Sequence, residues 1–199
     1  MSKFRSPQND AVLSDADDEA LLVLYANGDG QAARVLTQRL TPQVLGHAFR
    51  LLGDRAEAED VAQEAMLRLW RIAPQWRPGE AKPTTWLYRV VANLCTDRFR
   101  KRRSIGLDEI AEPVDGAASV AEKIQNDARI DALQAALLTL PVRQRQAVVL
   151  RHIEELGNVE IGQIMEISAE AVESLTARGK RALRGALAAR REDLGYSDG

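Results

Sequence analysis

The amino-acid sequence predicts an all-α chain built as two small helical units, and three observations carry that reading. Ala, Leu, Arg and Glu are common, all good helix formers, while alternating β-branched runs are hard to find. Nearly every apolar stretch follows the period of a helix with one buried face. From Ser104 to about Ala121 the chain turns acidic, loses large apolar residues and is punctuated by Gly106, Pro113 and Gly116, as a linker would be.

The elements follow in order. A first helix is expected from about Asp17 to Asn27, capped by Ser14 or Asp15 and stopped by Gly28. A second follows Asp29-Gly30, with Ala33, Leu36 and Leu40 on one face. Thr41-Pro42 offers an N-cap and then proline at the first helical position, where its missing N–H costs nothing. A third helix should therefore carry Val44, Leu45, Ala48, Leu51 and Leu52 up to Gly53. Asp54 and Glu57 have capping-box spacing ahead of AEAEDVAQEAMLRLWRIA. In that helix Val61, Ala65 and Leu69, with Ala62 and Met66, form the buried face, and Asp60, Glu64, Leu67 and Arg71 fall on another. Pro74, Pro78, Gly79 and Pro83 break the pattern into the loop QWRPGEAKPTT, after which Thr84 or Thr85 caps the long helix WLYRVVANLCTDRFRKRR. Helical periodicity resumes near Glu122 and continues through Leu140. Pro141 opens VRQRQAVVLRHIEEL, which ends at Gly157, and two more helices flank a turn at Glu166-Ile167-Ser168. The layout is a tail over 1–16, a first unit over 17–103, a linker over 104–127, a second unit over 128–190 and a tail over 191–199.

Composition narrows the function classes. A formal net charge of -2 argues against a chain coated in positive charge, yet leaves room for a local basic patch. The single cysteine, Cys95, rules out an internal disulfide framework and fits a reducing compartment. Neither a bilayer-spanning apolar run nor a signal-peptide core is found, so a cytoplasmic location is expected. His47, Cys95 and His152 lie on separate helices, and no phosphate-binding glycine loop or nucleophile elbow occurs. No enzyme, metal or cofactor is expected, and the histidines read as surface or packing residues.

Two segments point to nucleic acid. Arg98, Arg100, Lys101, Arg102 and Arg103 crowd the end of the long helix, opposed locally only by Asp97. Trp76, Trp86 and Tyr88 come just before them. Cations that hold phosphates, beside rings that stack on unpaired bases, suit an opened or single-stranded nucleic acid. The same cations would also complement a helix C-terminus, and aromatics also fill cores. In the second unit, NVEIGQIM, the turn and AEAVESLTARGKRAL have the layout of a helix-turn-helix. Val159, Ile161, Ile164 and Ile167 should pack inward, Val172 and Leu175 or Thr176 should begin the second helix's buried side, and Ser168 should cap it. Arg178, Lys180, Arg181 and Arg184 follow as candidate phosphate contacts.

The run AEDVAQEAMLRLW, Trp76 in its loop, and TTWLYRVVANLCTDRFRKRR together resemble regions 2.1 to 2.4 of the extracytoplasmic-function (ECF, group IV) sigma factors of the sigma-70 family. TLPVRQRQAVVLRHIEELGNVEIGQIMEISAEAVESLTARGKRALR is similar to their region 4. The resemblance covers roughly residues 17–103 and 128–188. It implies a transcription-initiation subunit, with Asp60, Gln63, Glu64 and Leu67 docking on the clamp helices of the polymerase β′ subunit and region 4 meeting the β flap. It implies that Trp76, Thr84, Thr85, Trp86 and Asn93 meet the −10 element, with Arg98, Arg100, Lys101, Arg102 and Arg103 on the adjacent backbone. It places Ser168, Glu170, Ala171, Glu173, Ser174, Arg178, Lys180 and Arg181 at the −35 element. It further implies an anti-sigma factor as partner, and a linker near the polymerase RNA exit path. One departure stands out. Glu170, Ala171, Glu173 and Leu175 occupy positions where family members commonly carry glycine, threonine and basic residues. Glutamates there repel phosphate, although Glu173 could accept from cytosine N4. A sigma-like decoy that binds polymerase or an anti-sigma factor without reading a promoter is the alternative.

Overall fold

A computed structural model describes residues 13–104 and 121–188, without the side chains of 103 and 121–128. The expected C-terminal tail, most of the linker and most of the N-terminal tail lie outside the described residues. Those described form α1 (Asp18–Ala26), α2 (Gly30–Leu52), α3 (Arg55–Ile72), a 3-10 turn (Ala73–Gln75), α4 (Pro83–Ser104), α5 (Ala121–Leu138), α6 (Val142–His152), α7 (Asn158–Met165) and α8 (Ala169–Ala188). Among them there is no strand, so the all-α expectation holds. No described helix is long and apolar enough to cross a membrane. α5 already starts within the segment expected to be linker.

The first unit packs α1 to α4 around one core. Asp17, rather than Ser14 or Asp15, caps α1, its Oδ1 accepting the Ala20 N–H at 2.7 Å. Asp29 caps α2 by accepting from Gln31 and Ala32. The break expected at Thr41-Pro42 does not occur: α2 runs through Pro42 to Leu52. Proline inside a helix costs about 3 kcal/mol relative to alanine. Against that, α2 buries one stripe on both sides of the proline, Ala32, Leu36, Leu40, Val44, Ala48 and Leu51, with Ala32 taking the place expected of Ala33. A fully buried leucine is worth about 1.5–3 kcal/mol, so Leu36 and Leu40 together offset the proline.

Asp54 caps α3 by accepting from the Glu57 N–H at 2.8 Å. The stripe Val61, Ala65 and Leu69, with Ala62 and Met66, is buried as its spacing predicts. Pro83 does not break a helix; it begins α4, so Thr84 and Thr85 lie in the first turn instead of capping it.

The second unit holds the helix-turn-helix in α7 and α8. α6 stops at His152, well short of Gly157, because the chain leaves the helix at Ile153 and Glu155 turns left-handed at φ 57. The turn after α7 is tight: a Cβ on Gly162 would stand 2.7 Å from the Ile167 carbonyl oxygen, so only glycine fits there. Ile161, Ile164 and Val172 are buried and Ile167 and Leu175 pack beside them, but Val159 is 68% exposed. It begins α7 on the side away from that core.

The two units are pressed together. Arg145 of α6 is buried and donates to the carbonyls of Leu51, Leu138 and Leu140, with its guanidinium 5.9 Å from the centre of the Phe99 ring. Burial lowers its pKa to about 10. Gln134 donates to the Phe49 carbonyl. Gly53, at φ +75, lets Leu138 approach so closely that a Cβ would meet its Cδ1 at 2.5 Å. Tyr88 belongs to the second unit's core, and its hydroxyl donates to Glu154 at 2.6 Å. Glu154 also lies 3.3 Å from His47 Nδ1 and from Arg50.

Candidate nucleic-acid and partner interfaces

α3 presents one candidate interface because its buried stripe turns the opposite residues outward. Asp60, Gln63 and Leu67 are exposed, Leu67 at 42%, and Glu64 is half-buried. Beside them Thr41, Leu45, Glu59, Ala62, Met66 and Trp70 join Gln63 and Leu67 around a mainly apolar groove of about 320 Å³ between α2 and α3. Arg68 donates to Glu64 at 2.8 Å, and this bond holds the Glu64 carboxyl below the usual carboxylate range. An apolar floor with a carboxylate rim suits a helix that carries both apolar and basic groups.

The aromatic loop is more enclosed than the sequence suggests. Trp76 and Trp86 are half-buried and meet edge to face, with ring centres 6.2 Å apart. Glu19 accepts from the Trp76 indole N–H at 3.3 Å and from the Gly79 backbone N–H at 2.8 Å. Asn93 is exposed and Thr84 half-buried, while Thr85, at 9% exposure, is turned inward and contributes no open surface. Tyr88 is covered by the second unit and is withdrawn from solvent. Burial and its bond to Glu154 push its hydroxyl well above the ordinary phenol range. Cys95 is buried too, and desolvation pushes its thiol up to about 12, which leaves it a packing residue.

The basic end of α4 is partly neutralised from across the fold. Arg102 lies 2.8 Å from Glu57; Arg98 lies 3.5 Å from Asp60 and 4.0 Å from Glu57. Arg100 pairs with Asp97 at 3.3 Å. Lys101 is exposed, and the Arg103 side chain lies outside the described residues. Asp60 thus belongs to the α3 face and to the basic cluster at once, joining two surfaces that are far apart in sequence.

α8 begins as its sequence predicts, with Ser168 Oγ accepting the Ala171 N–H at 3.3 Å. A hydrogen bond with Ser168, and then one with its own backbone, holds the Glu170 carboxyl low. Glu170, Glu173, Ser174, Arg178, Lys180 and Arg181 are exposed and Ala171 is half-buried. Val172 and Gly179 face inward, and a Cβ on Gly179 would stand 2.6 Å from Val148 Cγ2. The first two turns are therefore acidic and the later turns basic, along one open side.

Sequence reasoning missed Glu19, Glu57 and Glu154. Glu57 has capping-box spacing from Asp54, and the other two sit in unremarkable acidic stretches. No local signal marks them, since their partners lie on other helices.

The family described as Sigma-70 region 2 matches residues 36–105, and that described as Sigma-70, region 4 matches residues 130–183. The chain is 37% identical over 174 residues to the ECF RNA polymerase sigma factor SigE of Mycolicibacterium smegmatis, covering 83% of this chain and 66% of the relative. It is 32% identical over 168 residues to the ECF RNA polymerase sigma factor SigW of Bacillus subtilis, covering 79% of this chain and 89% of the relative. Among solved structures, CnrH in complex with the cytosolic domain of CnrY superimposes with a TM-score of 0.63 at 24% identity, over 86% of this chain and 97% of that one. The sigma factor RpoE in complex with the anti-sigma factor NepR, from Bartonella quintana, gives 0.60 at 19% identity, over 76% and 93%. These two likenesses concern the fold.

Proposed function

We propose that this chain, which belongs to the ECF group of the sigma-70 family, is an alternative sigma factor that brings core RNA polymerase to its promoters and helps open them. The observation that carries the reading is α3, where Glu59, Gln63 and Leu67 border a mainly apolar groove and Asp60 and Glu64 lie on the same helix. Apolar surface left open beside charged residues is where a protein partner can dock. In this proposal the face docks on the β′ clamp helices and the second unit on the β flap. Trp76, Thr84, Trp86 and Asn93 take the −10 element, with Lys101, Arg100 and, once released from Glu57 and Asp60, Arg98 and Arg102 on the backbone; Thr85 supports them from inside. α8 meets the −35 element through Glu173, Ser174, Arg178 and Arg181. Two solved structures of similar fold are complexes, one with the cytosolic domain of CnrY and one with the anti-sigma factor NepR, and an anti-sigma factor is proposed here as well. The group IV assignment and a cytoplasmic site of action go with this reading.

Run-off transcription with core polymerase on a genomic promoter library tests it. Specific transcripts are expected from the wild type, and reversing Asp60 and Glu64 to lysine should abolish them while leaving helicity by circular dichroism intact. Transcripts that persist at wild-type level in the reversed protein would refute the docking face. The decoy reading draws on the acidic first turns of α8 and on the Arg98 and Arg102 pairs, and it predicts polymerase binding without any transcript.

A further inference from the structure

Glu19 sits in the first turn of α1, half-buried, far in sequence from the aromatic loop it touches. One of its oxygens, Oε1, accepts two N–H groups: the indole of Trp76 at 3.3 Å and the backbone of Gly79 at 2.8 Å. Other bonds that shape this loop are local. Trp76 N–H donates to Ala73, Glu80 N–H donates to Arg77 at 3.3 Å, and Arg77 pairs with Glu80. Gly79 is left-handed at φ +87, so its N–H can face a carboxylate in a way that other residues adopt only with strain. An indole has one donor and no acceptor. Once that donor is taken, the ring is fixed edge-on against Trp86, and what remains for a ligand is its aromatic surface.

We infer that Glu19 is a positioning and specificity-determining residue for the unpaired base. It orients Trp76 and occupies the Trp76 and Gly79 N–H groups, so that the loop receives a base by shape and stacking and offers it neither of these donors. The inference rests on the reading that Trp76 meets an unpaired base. Removing the carboxylate has two consequences. The ring loses its fixed orientation, which weakens stacking. Two freed donors can meet any base that presents an acceptor, which broadens the choice.

The test uses holoenzyme assembled from core polymerase and wild type, Glu19→Ala, Glu19→Gln, Trp76→Ala or the Glu19→Ala/Trp76→Ala double variant. The probe is short single-stranded DNA of randomised sequence, read as base enrichment at each position and as affinity for the wild-type winner. Core affinity, measured in parallel, confirms that each variant is folded. Glu19→Ala should lose about tenfold in affinity, within what one stacked base contributes, and should flatten enrichment at one position only. Glu19→Gln keeps an acceptor oxygen for the loop and should restore most of that enrichment, which a loss of packing alone would not explain. In the Trp76→Ala background, Glu19→Ala should add less than about twofold, as coupled residues do. Wild-type enrichment in Glu19→Ala, alongside a clear loss in Trp76→Ala, overturns the role of Glu19 and leaves base capture standing. Additive losses in the double variant overturn it too. No loss in Trp76→Ala overturns base capture itself, and the Glu19 role with it.

Discussion

Replacing Glu154 with alanine removes a carboxylate of the second unit that bonds to three side chains of the first. The Glu154 side chain is 10% exposed and takes hydrogen bonds from Tyr88 at 2.6 Å, His47 Nδ1 at 3.3 Å and Arg50 at 3.3 Å. Arg50 is about a third exposed, so its pair is screened and adds little. The cost comes from the buried Tyr88 hydroxyl and His47 ring nitrogen, each left without a partner at about 1–3 kcal/mol. The total is about 2–6 kcal/mol, in line with about 3–5 kcal/mol for breaking a buried ion pair by removing one partner. That shifts the closed–open equilibrium by roughly one and a half to four powers of ten. Small-angle X-ray scattering reads it directly. A compact chain of 199 residues has a radius of gyration of about 16 Å, the value expected of the wild type, and Glu154→Ala should be clearly larger. Glu154→Gln keeps an acceptor for Tyr88 and should fall between them. Under the proposed function opening would matter, since −10 and −35 elements are separated by roughly 85 Å of duplex at 3.4 Å per base pair, about five times the radius of gyration expected of a compact chain of this length.

The pH dependence follows from the same cluster. Burial pushes the Glu154 carboxyl up, but His47, Tyr88 and Arg50 together bring it below its usual value. A depressed carboxylate stabilises the contact above its unfolded pKa, and that contribution is lost as pH falls through the folded value. Tyr88 is raised, so its contribution is present below the ordinary phenol pKa and is lost as pH climbs through the folded one. The contact should therefore hold through neutral pH and loosen in acid. Unchanged scattering and melting temperature in Glu154→Ala would refute this account.

Three further outcomes are expected. Glu57→Gln should free Arg102 and loosen Arg98, tightening binding to duplex DNA and steepening its salt dependence by up to about one phosphate contact per arginine in a salt titration. Glu173→Lys should change which −35 sequences are selected if Glu173 faces a base edge, whereas uniformly tighter binding to every sequence would mean that it faces phosphate. Pro42→Ala should stabilise the first unit by about 1–3 kcal/mol, seen as a higher melting temperature, because Pro42 is exposed and its backbone is already helical.

Helical periodicity and capping chemistry are local properties of the chain, and most of the elements were legible from them. The Asp54 cap, the Val61, Ala65 and Leu69 stripe, the Ser168 cap and the open faces of α3 and α8 appear where spacing puts them. The misreadings have one physical cause. Sequence neighbours alone predict a break at Pro42 and a helix through Leu156, while burial of the α2 stripe carries the helix past Pro42 and the left-handed Glu155 ends α6 early. Val159 is expected to pack inward with Ile161 and Ile164, but its place at the start of α7 turns it outward.

The same cause operates at the site. Arg98 and Arg102 look free in sequence, since their partners, Glu57 and Asp60, come some forty residues earlier on another helix. Tyr88 looks like an exposed ring beside a basic cluster, yet the second unit covers it and Glu154 binds its hydroxyl. Glu19 carries no motif at all, and it matters only because α1 lies against the aromatic loop. A residue's type and spacing determine which interactions it can make. Which of them it does make depends on what the packed helices bring within about 3 Å, and the pairing of charges and donors across helices is therefore a property of the tertiary structure alone.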